Sequence, residues 1–456
     1  MIQWKQFQIE QFEKQSGFQL LRDSQSIEAG NKDFGGLHKG QAFAVFKPVN
    51  LEQAQVFLMY ATRHGLPVAI RCHGLSQAGQ SLAREGQVLL DVSALNYELQ
   101  LKTNTIRAGC SVSWADIILR SLRANKLPPV FPYNTRLSLG GVLSVGGLGS
   151  ASAQQGTCVA HVVSLQVLKI DGTLVYCDER HNSDLMDAVL AGTGQFGIIY
   201  SAELQLQPVS EKLYTRNLYF TDAQKWLEAQ FVWRDKKVKY MEANCLFADP
   251  QNFSPLEQPL YRISLADEEE SLLGVEHGEC SEEPIEHISM EDYVFRHEAR
   301  ITKMMSPPYV NYYHPWFECY ARREVITAYI SDLVNTYPRS LGPMLHCFPV
   351  ARRHARLFQM PEGQDIMTFN ILTPGVAPDD MEECRNWILK ADALLRKHGG
   401  KRYISSWIAD AQNQEYWQQH YGVDWELWQR LKHRYDPQDL WGGRKPKPQN
   451  IESDIL

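Results

Sequence analysis

A glycine-rich turn is the first stretch whose residue types suggest chemistry. Residues 71–81 read RCHGLSQAGQS and follow the short apolar run LPVAI, which is typical of a buried strand. Glycines let such a turn bring several backbone N–H groups to one anion, because they adopt conformations that other residues avoid. The pattern predicts a site for a phosphate-bearing ligand, although the apolar Leu75 stands in the middle of the turn.

Two further small-residue segments lie in the same half of the chain. They are LSLGGVLSVGGLGSASAQQG at 137–156 and GTGQFG at 192–197. Neither the phosphate-loop signature G-x-x-x-x-G-K-[ST] nor a dinucleotide turn fits, because GTGQFG follows a helical pattern and precedes a strand. Any one segment is explained equally well as an ordinary turn. The three together favour a phosphate-bearing cofactor held by a different fold.

Metal chemistry has less support from the sequence. Two pairs, Cys158 with His161 and His277 with Cys280, have ligand-like spacing, but a site needs three or four converging ligands. We therefore predict no metal site. His314, in the aromatic stretch YYHPWF, belongs either to an aromatic core or to the lining of a pocket for a planar substrate.

The elements that must position these residues change character along the chain. Residues 46–70 predict a β-α-β unit, with Asn50 as the helix cap and a second strand that enters the glycine turn. Similar α/β alternation continues to about residue 208. Beyond it, strands such as YMEANCLFA and DIMTFNILT alternate with helices, while glycine turns disappear. This change predicts a second, α+β domain.

Composition limits the class of protein. A chain of 456 residues is too long for one ordinary core, and its 44% hydrophobic and 22% charged residues are typical of a globular protein. No apolar window reaches membrane-spanning length, and the net charge of −7 does not favour nucleic acid as a partner. The N-terminal MIQWKQFQIEQFEK has no secretory pattern, and nine scattered cysteines suggest reduced thiols. We predict a cytoplasmic protein.

The order of these motifs resembles the flavin domain of the vanillyl-alcohol oxidase (PCMH-type FAD) superfamily. Within it, GGVLSVGGLGS and NSDLMDAVLAGTGQFGIIY are similar to segments of the cytokinin dehydrogenases. The later stretches MEDYVFRHEARI, YHPWFECY, SLGPMLHCFP and KRYISSW follow in the order of that family. The likeness therefore covers nearly the whole chain.

The resemblance implies an α+β fold with two domains, in which an antiparallel sheet flanked by helices forms the substrate domain. By resemblance, residues 1–208 form a PCMH-type FAD domain, 209–403 a substrate domain, and 404–456 a segment returning to the FAD domain. The active site would lie between the domains. The implied partners are a small-molecule substrate and an electron acceptor, either O2 or a quinone.

The resemblance also implies which residues contact FAD. The backbone N–H groups expected to hold its pyrophosphate are those of Gly74, Ser76, Gly79, Gly140, Gly141 and Ser144. The adenosine side is expected to be flanked by Gly197, Ile198 and Ile199. The further cofactor contacts are Arg71, Leu75, Gln80, Ser138, Gly146, Gly147, Tyr403 and Arg444. Of these, Arg444 is either a cation near the flavin ring or a solvated tail residue.

Leu75 is a departure from the family. It occupies the position where the family's G-H-S motif has the histidine that attaches covalently to the flavin, and a leucine cannot form that bond. His73 is the alternative attachment point, but a shift of two residues would displace the phosphate-binding glycines. We therefore predict a non-covalent FAD.

A second departure concerns the catalytic base. The family has an aspartate seven residues before its glycine pair, and the equivalent residue here is Tyr133. A neutral tyrosine is a poor base unless its pKa is lowered, which a neighbouring Arg136 would achieve. Asn134 is suited only to orienting a substrate.

Other candidate groups lie in the second half. Glu298 and Glu242 are carboxylates in stretches that resemble the substrate pocket, and His314 is a further candidate. The predicted catalytic set is therefore Tyr133, Asn134, Glu298 and His314.

The resulting functional prediction is an FAD-dependent oxidoreductase that takes a hydride from a carbon bearing nitrogen or oxygen. The alternatives are a catalytically inactive flavin-binding protein and an oxidase that modifies a natural-product intermediate.

Overall fold

The fold is known from a computed structural model that describes residues 3–248, 255–274, 280–409, 411 and 413–441. Its helices are α1 Gln6–Ser16, α2 Ser24–Gly30, α3 Leu51–Arg63, α4 Trp114–Leu122, α5 Leu139–Leu143, α6 Ser152–Gln155, α7 Ser183–Val189, α8 Ala223–Asp235, α9 Glu270–Leu273, α10 Met290–Phe295, α11 Glu298–Met304, α12 Arg323–Asn335, α13 Met381–Lys397, α14 Gln414–Tyr421 and α15 Trp425–Tyr435.

The strands are β1 Val45–Phe46, β2 Val68–Arg71, β3 Val88–Asp91, β4 Leu99–Leu101, β5 Thr105–Gly109, β6 Lys126–Leu127, β7 Val162–Leu168, β8 Leu174–Cys177, β9 Ile198–Gln205, β10 Gln207–Pro208, β11 Lys212–Phe220, β12 Tyr240–Ala248, β13 Pro255–Asp267, β14 Ser281–Glu282, β15 Glu286–Ser289, β16 Phe317–Arg322, β17 Met344–His346, β18 Pro349–Val350, β19 Ile366–Ile371 and β20 Lys401–Arg402.

The first half begins with a small parallel sheet of order β1-β3-β2. Helix α3 connects β1 to β2, and the Asn50 side chain caps it by accepting the N–H of Gln53 at 3.0 Å. The buried residues of α3 lie at helical spacing because they pack on this sheet and on α1. Strand β2 ends at Arg71, so the glycine turn starts at the carboxyl edge of the sheet. The predicted β-α-β unit is confirmed.

A second, antiparallel sheet of the first half has the order β4-β5-β9-β7-β8. Helix α4 packs beside it, capped by Ser113, whose hydroxyl accepts the N–H of Asp116 at 3.1 Å. The GTGQFG turn leads into β9, and α5 begins the second small-residue segment. These two segments are brought together because Thr193 N–H donates to the carbonyl of Ser144 at 2.8 Å.

The second half is built on a large antiparallel sheet, whose path through the described residues is β14-β11-β13-β12-β17-β19-β16-β20. Helices α8, α12 and α13 bury an apolar face of this sheet through residues such as Trp226, Ile326 and Ile388. The α+β fold predicted from the sequence is therefore confirmed.

The opposite face of the large sheet carries what we call the polar row. Directly paired positions share one face of a sheet, and the pairing joins one polar residue from each of six strands. In spatial order the polar row is Tyr219, Arg262, Asn244, His346, Asn370 and Glu318. A sheet face of this kind is stable only if ligands or other polar groups cover it.

The C-terminal residues pack against the first half. Trp441 forms a parallel bridge with Val68, whose N–H donates to the carbonyl of Leu440 at 2.8 Å. The ammonium of Lys432 is fully buried between the side chains of Gln195 and Asp436, at 2.8 and 2.6 Å. The domain limits given above at 208 and 403 stay predictions.

Candidate active site

A cavity of about 300 Å³ lies where the two halves meet. The first half contributes the glycine turn, α5 and the turn before β9, while the second contributes α11 and the strands β16, β17 and β19. The predicted cofactor residues that line it are Arg71, Gly74, Leu75, Ser76, Gln80, Ser138, Gly140, Gly141, Ser144, Gly147, Gly197, Ile198, Ile199 and Tyr403. Gly79 and Gly146 do not line it, and Arg444 lies outside the described residues.

The glycine turn presents free donors to this cavity. The carbonyls of Gly74 and Ser76 accept the N–H groups of Phe34 and Gly35, at 3.1 and 3.0 Å. By contrast, the N–H groups of Gly74, Leu75 and Ser76 have no acceptor within the part of the chain that the structure describes. Three successive unsatisfied donors at a cavity wall are suited to an anion. The turn therefore fits the pyrophosphate of a dinucleotide such as FAD.

Gly79 has a different role from the one predicted. Its N–H donates to the carboxylate of Asp33 at 2.8 Å, and the Ser76 hydroxyl donates to the same oxygen at 2.9 Å. Asp33 also accepts the N–H of Gly36 at 3.2 Å. Gly79 thus helps to brace the turn and has no N–H left for the cofactor.

The N–H groups at the start of α5 are also used within the chain. Gly140 donates to the carbonyl of Cys110 at 3.1 Å, and Gly141 donates to the Ser138 hydroxyl at 3.3 Å. The N–H of Ser144 donates to the carbonyl of Gly140 at 3.0 Å. These residues form a wall of the cavity. Their N–H groups were predicted to bind a pyrophosphate directly, but they already donate to acceptors within the chain.

Gly146 is not a lining residue because an aromatic ring lies directly over it. A Cβ atom at this position would clash with the side chain of Phe358. The next residue, Gly147, does line the cavity, and its N–H donates to the Tyr403 hydroxyl at 2.9 Å.

His73 lines the cavity beside Leu75. Its Nδ1 lies 3.0 Å from the carbonyl of Arg136, and its Nε2 lies 3.1 Å from the carbonyl of Ser111. A neutral imidazole donates to only one of these oxygens, but the other carbonyl oxygen occupies the space in front of the second nitrogen. In this position the ring presents no open nitrogen to a cofactor.

Tyr133 and Asn134 line the cavity, but Tyr133 does not have the predicted basicity. Burial, followed by the nearby charge of Glu242, raises the pKa of Tyr133 well above its usual value. Arg136 does not oppose this effect, because its guanidinium donates to Glu298 at 2.6 Å. Tyr133 is thus a neutral phenol, and its hydroxyl has no partner among the described residues. The Asn134 side chain accepts the N–H of Arg136 at 3.1 Å.

The other carboxylates named from the sequence are ion-paired away from the cavity. Glu298 pairs with Arg136 and is not a lining residue. Glu242 accepts from Arg296 and from His297 Nε2, the latter at 3.1 Å. Burial alone would raise the pKa of Glu242, but these two partners hold it well below its usual range. Neither carboxylate is placed to act on a molecule in the cavity.

His314 belongs to the aromatic core. It is fully buried and stacks on Phe34, with ring centroids 4.1 Å apart. Phe34 and Trp316 line the cavity in front of it, so His314 does not. Burial lowers the pKa of His314 and keeps it neutral.

Glu318, at one end of the polar row, is the functional candidate that the sequence reasoning missed. Its side chain lines the cavity at 7% exposure and accepts the Ser405 hydroxyl at 3.1 Å. Burial raises the pKa of Glu318 to about 7, against the opposing effects of Ser405 and Arg402. A carboxyl group with this pKa exchanges a proton readily near neutral pH. The available signal was a single acidic residue near the start of the otherwise buried strand FECYAR, between the apolar Phe317 and Cys319.

The described residues also bear on metal binding, on the state of the cysteines and on membrane-spanning helices. No group of three or more His, Cys, Asp or Glu side chains within them could hold a metal ion, and His277 lies outside them. All nine cysteines are described and are free thiols. None of the described helices has the length and hydropathy needed to cross a membrane.

Comparisons with known proteins agree with this geometry. Residues 42–178 match a family described as FAD binding domain, and residues 277–445 match cytokinin dehydrogenase 1, FAD and cytokinin binding. The chain is 25% identical over 432 residues to an uncharacterized oxidoreductase, ORF5 in the fasciation locus of Rhodococcoides fascians, covering 91% of this chain and 95% of that one. It is 23% identical to cytokinin dehydrogenase 1 of Arabidopsis thaliana, covering 89% and 78%.

Solved structures share the fold at lower identity. 6-Hydroxy-D-nicotine oxidase from Arthrobacter nicotinovorans superimposes with a TM-score of 0.72 at 14% identity, covering 94% of this chain and 97% of that one. Chitooligosaccharide oxidase gives a TM-score of 0.74 at 14% identity, covering 97% and 100%. The predicted cofactor, FAD, is confirmed by the family matches. Together the two family matches and the full-length relatives show an FAD-dependent oxidoreductase that is similar to the cytokinin dehydrogenases, at low sequence identity.

Proposed function

We propose that this protein oxidises a carbon that bears nitrogen or oxygen in a small organic substrate, with Glu318 as the catalytic base. One observation carries the proposal: the Glu318 carboxylate and the unsatisfied N–H groups of residues 74–76 face the same cavity. The first group is suited to moving a proton and the second to holding the phosphates of FAD.

Bound FAD would supply the two-electron acceptor that takes the hydride from the substrate carbon. The side chain of Glu318 would take the proton from the adjoining N–H or O–H group, so that a C=N or C=O bond forms. Ser405 orients this carboxylate by its hydrogen bond. Trp316 and Phe348 contribute apolar wall around it, which excludes water from the reacting atoms.

We further propose that FAD is held without a covalent bond. Leu75 has no nucleophilic atom, and both nitrogens of His73 face backbone carbonyl oxygens. The alternative attachment through a thiol has little support at Cys72, because burial raises its pKa to about 11 and keeps it protonated. Precipitation with acid separates the possibilities, since a non-covalent flavin colours the supernatant and a covalent one colours the pellet.

The substrate class we propose includes amines with a C–H bond next to nitrogen. The names of the relatives point to that chemistry, and Glu318 replaces the aspartate that the family carries on a different segment. The candidate that competes, a flavin-binding protein without catalysis, does not account for a buried carboxyl group with a pKa of about 7 at the cavity wall.

The test is anaerobic mixing of the FAD-loaded protein with a panel of secondary amines and alcohols, followed by the loss of visible flavin absorption. We expect at least one donor to bleach the flavin, and Glu318→Gln to slow this reaction by about 100-fold or more. Glu298→Gln is the matched control, because it removes a carboxylate outside the cavity. A flavin that no donor reduces, or equal rates for the two variants, would contradict the proposal.

A further inference from the structure

We propose that the substrate carries a compact oxyanion, a carboxylate or a phosphate, and that Arg300 binds it. This inference rests on the proposed function, because it assigns the substrate class of the same cavity. It is carried by three residues at the cavity wall: Arg300, which has no carboxylate partner among the described residues, and His346 and Tyr133, which each have a side-chain polar atom without a hydrogen-bond partner there.

Arg300 projects from α11 and lines the cavity. Its two hydrogen bonds within the described residues are long, 3.4 Å from Nη1 to Met344 Sδ and 3.4 Å from Nη2 to the carbonyl of Leu372. No carboxylate of the described residues lies within 4.0 Å of its guanidinium. An arginine remains charged in proteins, and a cation left unpaired away from bulk water is costly. A negatively charged ligand would remove that cost.

The two nearest carboxylates cannot serve as its partner. Glu242 is held by Arg296 and His297, and Glu298 is held by Arg136. Glu242 still attracts Arg300 at longer range, but among the described residues neither carboxylate forms an ion pair with it. Two arginines, Arg71 and Arg300, line the cavity, and Arg300 is the one contributed by the second half.

Two neutral groups stand close to Arg300 and are also without partners. His346 is 5% exposed and lines the cavity, and its Nε2 has no hydrogen-bond partner among the described residues. The buried Tyr133 hydroxyl is likewise unpaired there. Both rings lie within the electrostatic range of Arg300. A guanidinium, a phenol and an imidazole that line one cavity offer the kinds of donor that match the several lone pairs of an oxyanion.

The geometry of the sheet separates this anion site from Glu318. His346 pairs with Asn370, and Asn370 pairs with Glu318, so two strand spacings, roughly 10 Å, lie between them. An anion beside Glu318 would be repelled by its carboxylate, whereas one beside Arg300 is attracted. The substrate is therefore expected to have its oxyanion at one end, its oxidisable carbon at the other, and an apolar body between them.

A role toward the flavin is the competing assignment for Arg300. Among the described residues, the guanidinium forms hydrogen bonds with Met344 on β17 and Leu372 just after β19, both in the second half. The unsatisfied N–H groups of the glycine turn belong to the first half. This placement favours contact with the substrate. The competing assignment is an outcome of the test below.

The experiment is isothermal titration calorimetry of the FAD-loaded protein with two matched pairs of probes. Indole-3-acetate is compared with indole-3-acetamide to test a carboxylate, and adenosine monophosphate with adenosine to test a phosphate. We expect the anion of at least one pair to bind at least about tenfold more tightly than its neutral partner. Which pair shows the preference decides between the two sources of the oxyanion.

Substitutions then assign the preference to Arg300. Arg300→Gln is expected to abolish it and Arg300→Lys to retain part of it. Lys303→Gln, which removes the same charge from an exposed position of the same helix, should leave it unchanged. Equal binding of anion and neutral probe by the unaltered protein overturns the inference, with no variant needed. The inference is also overturned if Arg300→Gln keeps the preference for the anion but shifts the flavin reduction potential, because Arg300 would then act on the flavin.

The calorimetric result is independent of turnover. An anion preference in a protein whose flavin no donor reduces would refute the proposed function and leave the oxyanion site standing. A flavin reduced by neutral amines, without any anion preference, would refute only the oxyanion site.

Discussion

The glycine turn and one end of the polar row, formed by His346, Asn370 and Glu318, line the same cavity, but they are encoded in different ways. The turn offers backbone N–H groups of successive residues, 74–76, and depends on glycine conformations and on bracing by Asp33. The polar row offers one side chain from each of several strands between residues 219 and 370. Backbone recognition tolerates wide sequence change, whereas side-chain recognition changes with single substitutions. The proposed cofactor site therefore depends mainly on backbone geometry, and the proposed substrate face depends on individual side chains.

The largest expected effect concerns the pH dependence of catalysis. Because burial raises the pKa of Glu318 to about 7, the rate of flavin reduction at low substrate should rise roughly tenfold per pH unit below that value and level off above it. The ionised base forms as pH increases, which sets the sign. Stopped-flow measurements of flavin reduction across this pH range check the prediction. In Glu318→Gln the rise in rate with pH should be absent. If the rate still rises with pH in Glu318→Gln, the catalytic base is another group.

A substitution in the glycine turn should act on the cofactor rather than on the chemistry. Gly74 has φ of +70°, and a Cβ there would clash with the Arg71 guanidinium. Gly74→Ala is expected to weaken FAD binding by about 10- to 100-fold, since strain and misplaced N–H groups cost roughly 1–3 kcal/mol. Titration of the apoprotein by fluorescence quenching measures this change.

Gly399→Ala is the control for backbone strain alone. Its φ is +83°, but a Cβ at this position has no atom within 4 Å, and the residue is not part of the cavity wall. We expect lower stability with unchanged FAD affinity. If both alanine variants lose FAD equally, the turn has no special role in cofactor binding.

Ionisation of Glu318 should also lower the free energy of unfolding. Its folded-state pKa, about 7, exceeds the ordinary 4.5, so the favourable contribution present below pH 4.5 is lost as pH rises through 7. The loss is about 3 kcal/mol at most, from the difference in pKa. Glu318→Gln should therefore raise Tm at pH 8 and leave it nearly unchanged at pH 4.5. A lower Tm at pH 8 would mean that the ionised carboxylate is stabilised by the protein.

The smallest effect is expected at Tyr133. As a neutral phenol it can donate a hydrogen bond to a substrate but cannot take a proton near pH 7. Tyr133→Phe should lower kcat/KM by less than about tenfold and leave the pH profile in place. If Tyr133→Phe abolishes the rise in kcat/KM near pH 7, Tyr133 is the catalytic base after all.

The two regions also differed in how far the sequence predicted them. Three glycine segments and their order indicated the FAD fold, and most predicted cofactor residues line the cavity. The individual hydrogen bonds could not be predicted from the sequence. The N–H groups of Gly140 and Gly141 are satisfied by Cys110 and Ser138, which only the folded backbone brings within reach.

The catalytic residues illustrate the limit more sharply. Glu298 and Glu318 are both carboxylates in stretches that resemble the substrate domain, and nothing in their immediate neighbours ranks one above the other. Arg136, 162 positions away, pairs with the first, while β16 turns the second toward the cavity.

From the amino-acid sequence alone, the α/β alternation and the position of the glycine turn followed from glycine spacing and hydrophobic periodicity, because these patterns act locally along the chain. The fold family and the cofactor followed from the resemblance of the whole sequence to a known family. The tertiary structure alone decided which charged groups are paired and which are left facing the cavity. Burial and the partners brought by distant strands set the pKa of Glu318 and leave Arg300 without a carboxylate, and neither property can be read from neighbouring residues.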